Sequence, residues 1–402
     1  MRPLEKNSIP LILKNDIQKI SQRNKIRICF HPQSPKECCG KKKGAHSVSK
    51  SPFLNAITEN GKKNVIEFNI RISDGEDTCK EKSIKSVSKF YGFCEKHDTE
   101  FFRNIEARDF EANKQNAFLL NYRSTALVAY RYKENQEHNQ YIIDRIDKII
   151  EYNKTEFKFS DAELIVEDKN GLICEEIREE IKSILNKINP NNTDSRNSEK
   201  FLENIKEIYT SYLLNIKKRY TSRQETNTNY LTNTENLLNL QKQMFNTKKY
   251  DSFRYIYIFY NEKIPFAGSS SVGVYDKNGK LVIVTIHILP INQNNESKNY
   301  ILLTWLSDEE SIPINAIKEC AEQEKNNLLN LCLTLSFTNQ QNIFCTKETW
   351  DNLHCETRRK IETVSRENSN KQESSITDDC FDFSLNFSPI DSDGNVPFKL
   401  AL

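Results

Sequence analysis

Apolar and polar positions along the chain change their period twice. From residue 29 to about 97 short alternating segments dominate: Ile66, Phe68, Ile70 and Ile72 fall on one face between Val65 and Ile72, and a second run from Ser86 to Phe93 leads directly into Cys94. Period-two alternation predicts strands, so this region reads as a small, irregular, β-containing module. From about 99 to 248 the period becomes helical. Phe101, Phe102 and Ile105 begin it, Phe118, Leu119, Tyr122 and Leu127 continue it, and Ile142, Ile143, Ile146, Ile149 and Ile150 recur three and four residues apart, which predicts amphipathic helices. Ile177, Ile181, Ile184, Leu185 and Ile188 mark another helix, ended by the polar stretch from Asn189 to Ser198. The next carries Phe201, Leu202, Ile205, Ile208, Tyr209, Tyr212, Leu213 and Ile216, with Lys217, Lys218 and Arg219 placed to suit the negative end of its dipole.

After about 250 the pattern turns to strands again. Phe253–Tyr260 is almost continuously aromatic and β-branched, Lys280–Ile286 follows the turn Asp276-Lys277-Asn278-Gly279, and Tyr300–Leu306 comes third, a spacing that predicts an antiparallel sheet. Helices are expected over Ala316–Leu335 and Trp350–Val364, a polar stretch over Ser365–Asp379, and an edge strand through Phe381, Phe383, Leu385 and Phe387. The fold class is therefore α+β: a small β-containing N-terminal module over 1–106, a helical region over 107–248 and a C-terminal antiparallel-sheet domain over 249–402, with its linker at about 365–379.

Composition narrows the function classes. Across 402 residues, 58 Lys and Arg stand against 56 Asp and Glu, a net charge of +2. Bulk charge offers no case for non-specific polyanion binding, so any nucleic-acid site is a local patch. The candidate patch is Lys41-Lys42-Lys43, with Lys50, Lys62 and Lys63 nearby; a run of this kind is also the mark of a solvated hairpin. The leading segment Ile9–Leu13 is too short for a signal core or a membrane span, and the chain reads as soluble and cytoplasmic, with no membrane partner.

The most informative feature is where the cysteines and histidines fall. The chain has 11 cysteines and six histidines, and eight of these (Cys29, His31, Cys38, Cys39, His46, Cys79, Cys94 and His97) lie between residues 29 and 97. A Cys-Gly step makes a knuckle whose amides support thiolate, and a C-x-x-H pair opening a helix supplies two further ligands, so the set Cys29, Cys38, Cys94 and His97 is expected to hold one structural Zn²⁺. Cys38 and Cys39 compete for one position, and His31 or Cys79 could each replace a ligand, although Cys79 lies in the acidic stretch Asp74–Glu81, which reads as a solvated loop.

Here the residues resemble a known family. A cysteine knuckle, an Ala-His dipeptide on the next strand and a second C-x-x-[CH] opening a helix are similar to the zinc-stabilised HNH (ββα-metal, treble-clef-like) endonucleases. More closely, Cys29-x-His-Pro, Glu37-Cys38-x-Gly40, Ala45-His46-Ser47-Val48 and Gly92-Phe93-Cys94-x-x-His97-Asp98, continuing to Glu106, together with Gln341–Cys345 and Trp350, resemble a widespread group of uncharacterised bacterial proteins. The resemblance implies a nuclease of bacterial defence against phage or mobile elements. In it His46 would be the general base for phosphodiester hydrolysis, Asp98 and Glu106 would serve a catalytic Mg²⁺ or Mn²⁺, and Lys41, Lys42 and Lys43 would contact the nucleic acid. Three departures stand out: Ala45 replaces an acidic ligand, no Asn or His follows on the helix, and an insertion must be looped out around 58–85. The other function class is a non-catalytic sensing or assembly protein that presents the zinc module to a protein or nucleic-acid partner, or to a second copy of itself. Ala267–Gly273 reads as a serine-rich β-turn with no role for Ser270, and His287, His354, Cys320, Cys332 and Cys345 as packing residues.

Overall fold

The structure, a computed structural model, describes residues 28–41, 44–58, 63–68, 79–107, 109–167, 173–187, 195–275, 281–293, 296–306, 328–339 and 342–370. These divide into two compact units, one of residues 129–235 and one of residues 28–128 with 236–370.

The second unit is built on a seven-stranded, wholly antiparallel sheet. Its strands are β2 (Asn64–Phe68), β3 (Cys79–Ser83), β5 (Phe253–Tyr260), β6 (Phe266–Tyr275), β7 (Leu281–Gln293), β8 (Glu296–Leu306) and β9 (Ile343–Cys345), in the order β3-β2-β9-β6-β7-β8-β5. Alternation explains the core. Val284, Ile286 and Ile288 of β7 share a face with Ile256 and Ile258 of β5 and with Ile301, Leu303 and Trp305 of β8. That face packs against α7 (Leu328–Asn339), through Leu329, Leu333 and Phe337, and against Trp350 of α8 (Lys347–Asn352) and Ile361 of α9 (Cys355–Asn370). The opposite face is buried too and mixed, carrying Ser269, Thr285, His287 and Thr304 beside the apolar Leu289, Ile291 and Leu302.

The N-terminal segment feeds into this sheet. β1 (Ala45–His46) pairs with β4 (Lys89–Phe90), and Cys94 then opens α1 (Glu95–Phe101), which is followed by α2 (Arg103–Glu106). Two strands and a helix thus form a ββα arrangement. The β2–β3 hairpin is inserted between β1 and β4 and joins the large sheet where β2 pairs with β9. Helix α3 (Lys114–Thr155) follows, then α4 (Phe159–Glu167), α5 (Glu175–Leu185) and α6 (Ser195–Thr247). In the first unit Ile142, Ile146 and Ile149 pack with Ile181, Ile184, Ile205, Tyr209 and Leu213. Among the described residues no helix is long and apolar enough to cross a membrane.

Several sequence expectations are revised. The helix expected to close at Lys217–Arg219 continues to Thr247, because no Gly or Pro interrupts residues 195–247 and Leu231, Leu238 and Met244 still find burial. The run expected as a strand from Ser86 is a turn until Lys89: Ser88 adopts φ 56°, and its carbonyl accepts the Ser47 amide at 2.8 Å. The serine-rich segment at 267–273 is strand β6 instead of a turn. A Cβ on Gly268 would lie 2.4 Å from the Asn342 carbonyl oxygen, so glycine is there for close strand approach. Cys79 opens β3 opposite Phe68 instead of sitting in a solvated loop, and His354 is exposed, its Nδ1 accepting the Glu356 amide at 3.4 Å. The helix expected over Trp350–Val364 starts at Lys347, where the Thr346 side chain caps it, and breaks before Cys355. Of the helix expected over 316–335 only the part from Leu328 is described, and residues 69–72, Cys320 and the Phe381–Phe387 strand lie outside the described residues.

Candidate metal centre and the neighbouring histidine

Three short pieces of chain converge on the N-terminal cluster. Cys29 is fixed by the antiparallel bond from the Phe30 amide to the Gly92 carbonyl, 2.9 Å. Cys38 follows a turn in which its amide donates to the Pro35 carbonyl at 3.1 Å. Gly40, at φ +74°, then reverses the chain so that the Lys41 carbonyl accepts the Glu95 amide at 3.0 Å. Cys94 caps α1 in extended conformation, and His97 sits one turn in, where the Asp98 amide bonds back to the Cys94 carbonyl at 2.8 Å.

One ligand atom from each of Cys29, Cys38, Cys94 and His97 lies within 4.8 Å of every other. Nδ1 of His97 is 3.4 Å from the Cys29 sulfur and 3.9 Å from the Cys38 sulfur. A tetrahedral ion bound at ordinary zinc–sulfur and zinc–nitrogen lengths has edges of about 3.5–3.8 Å, so these side chains fit such an ion with small adjustment. Burial pushes the Cys29 thiol up to about 11; Cys38 and the nearby Cys94 add to the rise, and hydrogen bonds from the Cys94 and His31 backbones oppose it. A divalent cation reverses that balance, because it binds the thiolate form. Cys39 is outside the set: it is exposed, with its sulfur 3.6 Å from the Lys41 carbonyl. His31 is beside the set without joining it. Its ring lies parallel to that of His97 at 3.7 Å, and its Nδ1 accepts the Gln33 amide at 3.2 Å.

His46 ends β1, half-buried and opposite Lys89. Its Nε2 is shielded from solvent and has no hydrogen-bond partner. Burial lowers its pKa to about 4, helped by Lys89, Arg123 and Lys50 and opposed by Glu106. The ring is therefore neutral at pH 7. Lys50 is half-buried and Lys41 exposed; Lys42 and Lys43 lie outside the described residues.

Next to His46 stands a residue that the pattern of cysteines and histidines did not bring out. Arg123 of α3 is fully buried; its guanidinium bonds Glu106 at 2.7 Å and Ser49 at 2.9 Å, lies 3.6 Å from Asp98, and stacks 3.9 Å over the ring of Phe102. The two carboxylates expected to serve a catalytic cation thus converge, but on a guanidinium. Among the described residues the Cys₃His cluster is the one grouping of three or more His, Cys, Asp or Glu side chains placed to hold a metal. Asp98 and Glu106 do not fit a Mg²⁺ or Mn²⁺ site here. A signal for Arg123 did exist: it is the single charge in Ala117–Ala129, a helical stretch apolar almost all round, and a charge in such a place needs a partner. A buried polar chain lies close by, from Ser47 to Asn342 at 2.9 Å, from Asn342 to Ser269 at 3.0 Å and from Ser124 to Ser269 at 3.2 Å.

No family profile, no curated protein and no solved structure matches this chain.

Proposed function

We propose that Cys29, Cys38, Cys94 and Nδ1 of His97 hold one zinc ion as a structural staple. The convergence of the four ligand atoms supports this reading. Four protein ligands close a tetrahedral shell and leave no position for water or substrate, so the ion contributes folding free energy and not chemistry. Purified protein should contain close to one zinc per chain, and Cys94→Ser should lose it. Wild-type protein without zinc would end the reading.

On this platform we further propose phosphodiester hydrolysis in an HNH-like manner, with His46 as general base. The carrying observation is its neutral ring with an unengaged Nε2 beside Lys50, Lys89 and Arg123. Nε2 takes a proton from water as the water oxygen bonds to phosphorus; the bond from phosphorus to the leaving oxygen then breaks with its electron pair going to that oxygen, which takes a proton from solvent, and the lysines offset phosphate charge. No step is routed through a second metal. The substrate is nucleic acid, and a role in bacterial defence rests on the resemblance of the cysteine and histidine motifs. Zinc-loaded wild type should cut plasmid DNA or RNA, and His46→Ala should abolish cutting while keeping zinc and fold. Equal cutting by both proteins, or none by either, would overturn it.

A specific observation favours a second, non-catalytic reading. Arg123 engages both Asp98 and Glu106, and the same burial that frees the His46 ring of its proton also shields Nε2 and weakens it as a base. In that reading the stapled module presents its surface to a protein or nucleic-acid partner, or to a second copy of the chain, and His46 is a packing residue. Intact zinc content without any cleavage by wild type is its expected result.

A further inference from the structure

The ring of His97 is not simply aimed at the three sulfurs; it is held from behind. His31 lies face to face with it, ring centroids 3.7 Å apart and planes within 11°. His31 cannot swing freely, because its Nδ1 accepts the Gln33 amide at 3.2 Å. Phe101 meets the His31 ring edge-on at 4.8 Å, and Phe245, near the end of α6, meets Phe101 at 4.9 Å and His31 at 6.2 Å. Lys248 places its ammonium 4.0 Å over the Phe245 ring and adopts φ 59° to end the helix, five residues before β5 begins at Phe253.

Stacking of two imidazoles depends on parallel planes. A metal bond to Nδ1 adds to the burial and the Cys29 contact that already set the plane of the His97 ring. We infer that His31 is a positioning residue of the metal centre, and that the aromatic box it closes with Phe101 and Phe245 passes the occupancy of that centre to the last turns of α6. The inference rests on the zinc reading above. The His31 ring is a shelf that orients Nδ1 toward the thiolates, and the filled centre in turn holds the shelf against Phe245. Groups that orient a ligand from outside the coordination shell commonly govern metal affinity as strongly as this arrangement requires.

The test uses the full chain loaded with Co²⁺, whose visible bands report a three-sulfur, one-nitrogen shell, together with amide exchange of the zinc-loaded and chelator-stripped protein. His31→Ala should weaken Co²⁺ binding by about 10- to 100-fold and alter the bands, while His31→Phe, which restores a flat ring, should stay within about threefold of wild type with wild-type bands. Exchange over residues 240–247 should rise when zinc is stripped from wild type. The His31→Phe and wild-type measurements stand even where the alanine variant does not fold. Unchanged affinity and bands in His31→Ala, loss of the nitrogen signature in His31→Phe, or exchange in α6 indifferent to zinc would each overturn the inference while leaving the zinc site intact. Wild type that takes up neither Co²⁺ nor Zn²⁺ would instead remove the metal reading and the shelf with it.

Discussion

Replacing Arg123 with methionine isolates the largest electrostatic commitment near the candidate site. The side chain is fully buried, and its partners Asp98 and Glu106 are 13% and 36% exposed. At an effective dielectric of about 20, a charge pair near 4 Å, as between Arg123 and Asp98, has a gross attraction of ~4 kcal/mol and the closer pair with Glu106 somewhat more, most of which offsets the desolvation of the guanidinium. The pair with Glu106 is screened further by water. Truncation is a different matter, because it removes the guanidinium 3.6 Å from Asp98, a carboxylate that is itself poorly solvated. Ser49 also loses its donor, and Phe102 its stacked cation. Arg123→Met should therefore cost ~3–5 kcal/mol, the range for breaking a buried pair, whereas Glu106→Gln should cost about 1 kcal/mol or less because Glu106 is partly solvated. Urea unfolding of metal-loaded protein, followed by the fluorescence of Trp305 and Trp350, reads this unit directly, since both tryptophans are buried in its core. A loss below about 1 kcal/mol for Arg123→Met would refute the reasoning and show that the carboxylates are served by something other than the guanidinium.

Three further outcomes follow from the geometry. Gly268→Ala would bring a Cβ within 2.4 Å of both the Asn342 carbonyl oxygen and Ile343 Cδ1; it should cost ~1–3 kcal/mol in chemical denaturation, and neutrality would mean that β6 and β9 lie farther apart. Burial lowers the pKa of His287 to about 3 from the ordinary 6.5, so the unfolded chain takes up its proton first as pH falls. The contribution of His287 to stability is full above pH 6.5 and is lost below it, ~2–3 kcal/mol by about pH 4.5, and His287→Leu should remove that part of the slope between the two pH values. Cys39→Ser should keep its zinc while Cys38→Ser loses it, because only the Cys38 sulfur reaches the cluster; equal zinc content in the two variants would contradict that choice.

What was legible in the sequence was the part written locally. Alternation in Ile256 and Ile258, and again in Val284, Ile286 and Ile288, marks strands because the chain itself sets the period. The candidate metal cluster was legible for a related reason: a C-x-x-H helix start fixes Cys94 and His97 by short spacing, the knuckle marks Cys38, and only their meeting with Cys29 is long-range. Arg123 was legible as a lone charge in an apolar helical stretch, but its partners were not, because nothing within one turn of it names Glu106 or Ser49. The membership of β2 and β3 in the large sheet depends on a pairing between Ile66 and Cys345, 279 positions apart in the chain. Long-range pairing also decided the serine-rich strand. Its composition suits a turn, yet eight residues of β6 pair with β7 and three with β9, and the small side chains are what let Asn342 approach Ser269. The polar patch on the second face of the sheet follows from the same logic. Ser269, Thr285 and Thr304 are short enough to be buried with their hydroxyls engaged, and that gives α3 a hydrogen-bonding surface to pack on through Ser124. The placement of Arg123 one residue before Ser124 then ties the sheet contact and the candidate site to a single turn of helix. A substitution on that turn tests both at once, which is why the conservative variant Glu106→Gln belongs beside Arg123→Met: it removes one charge from the site and leaves the helix-to-sheet contact in place.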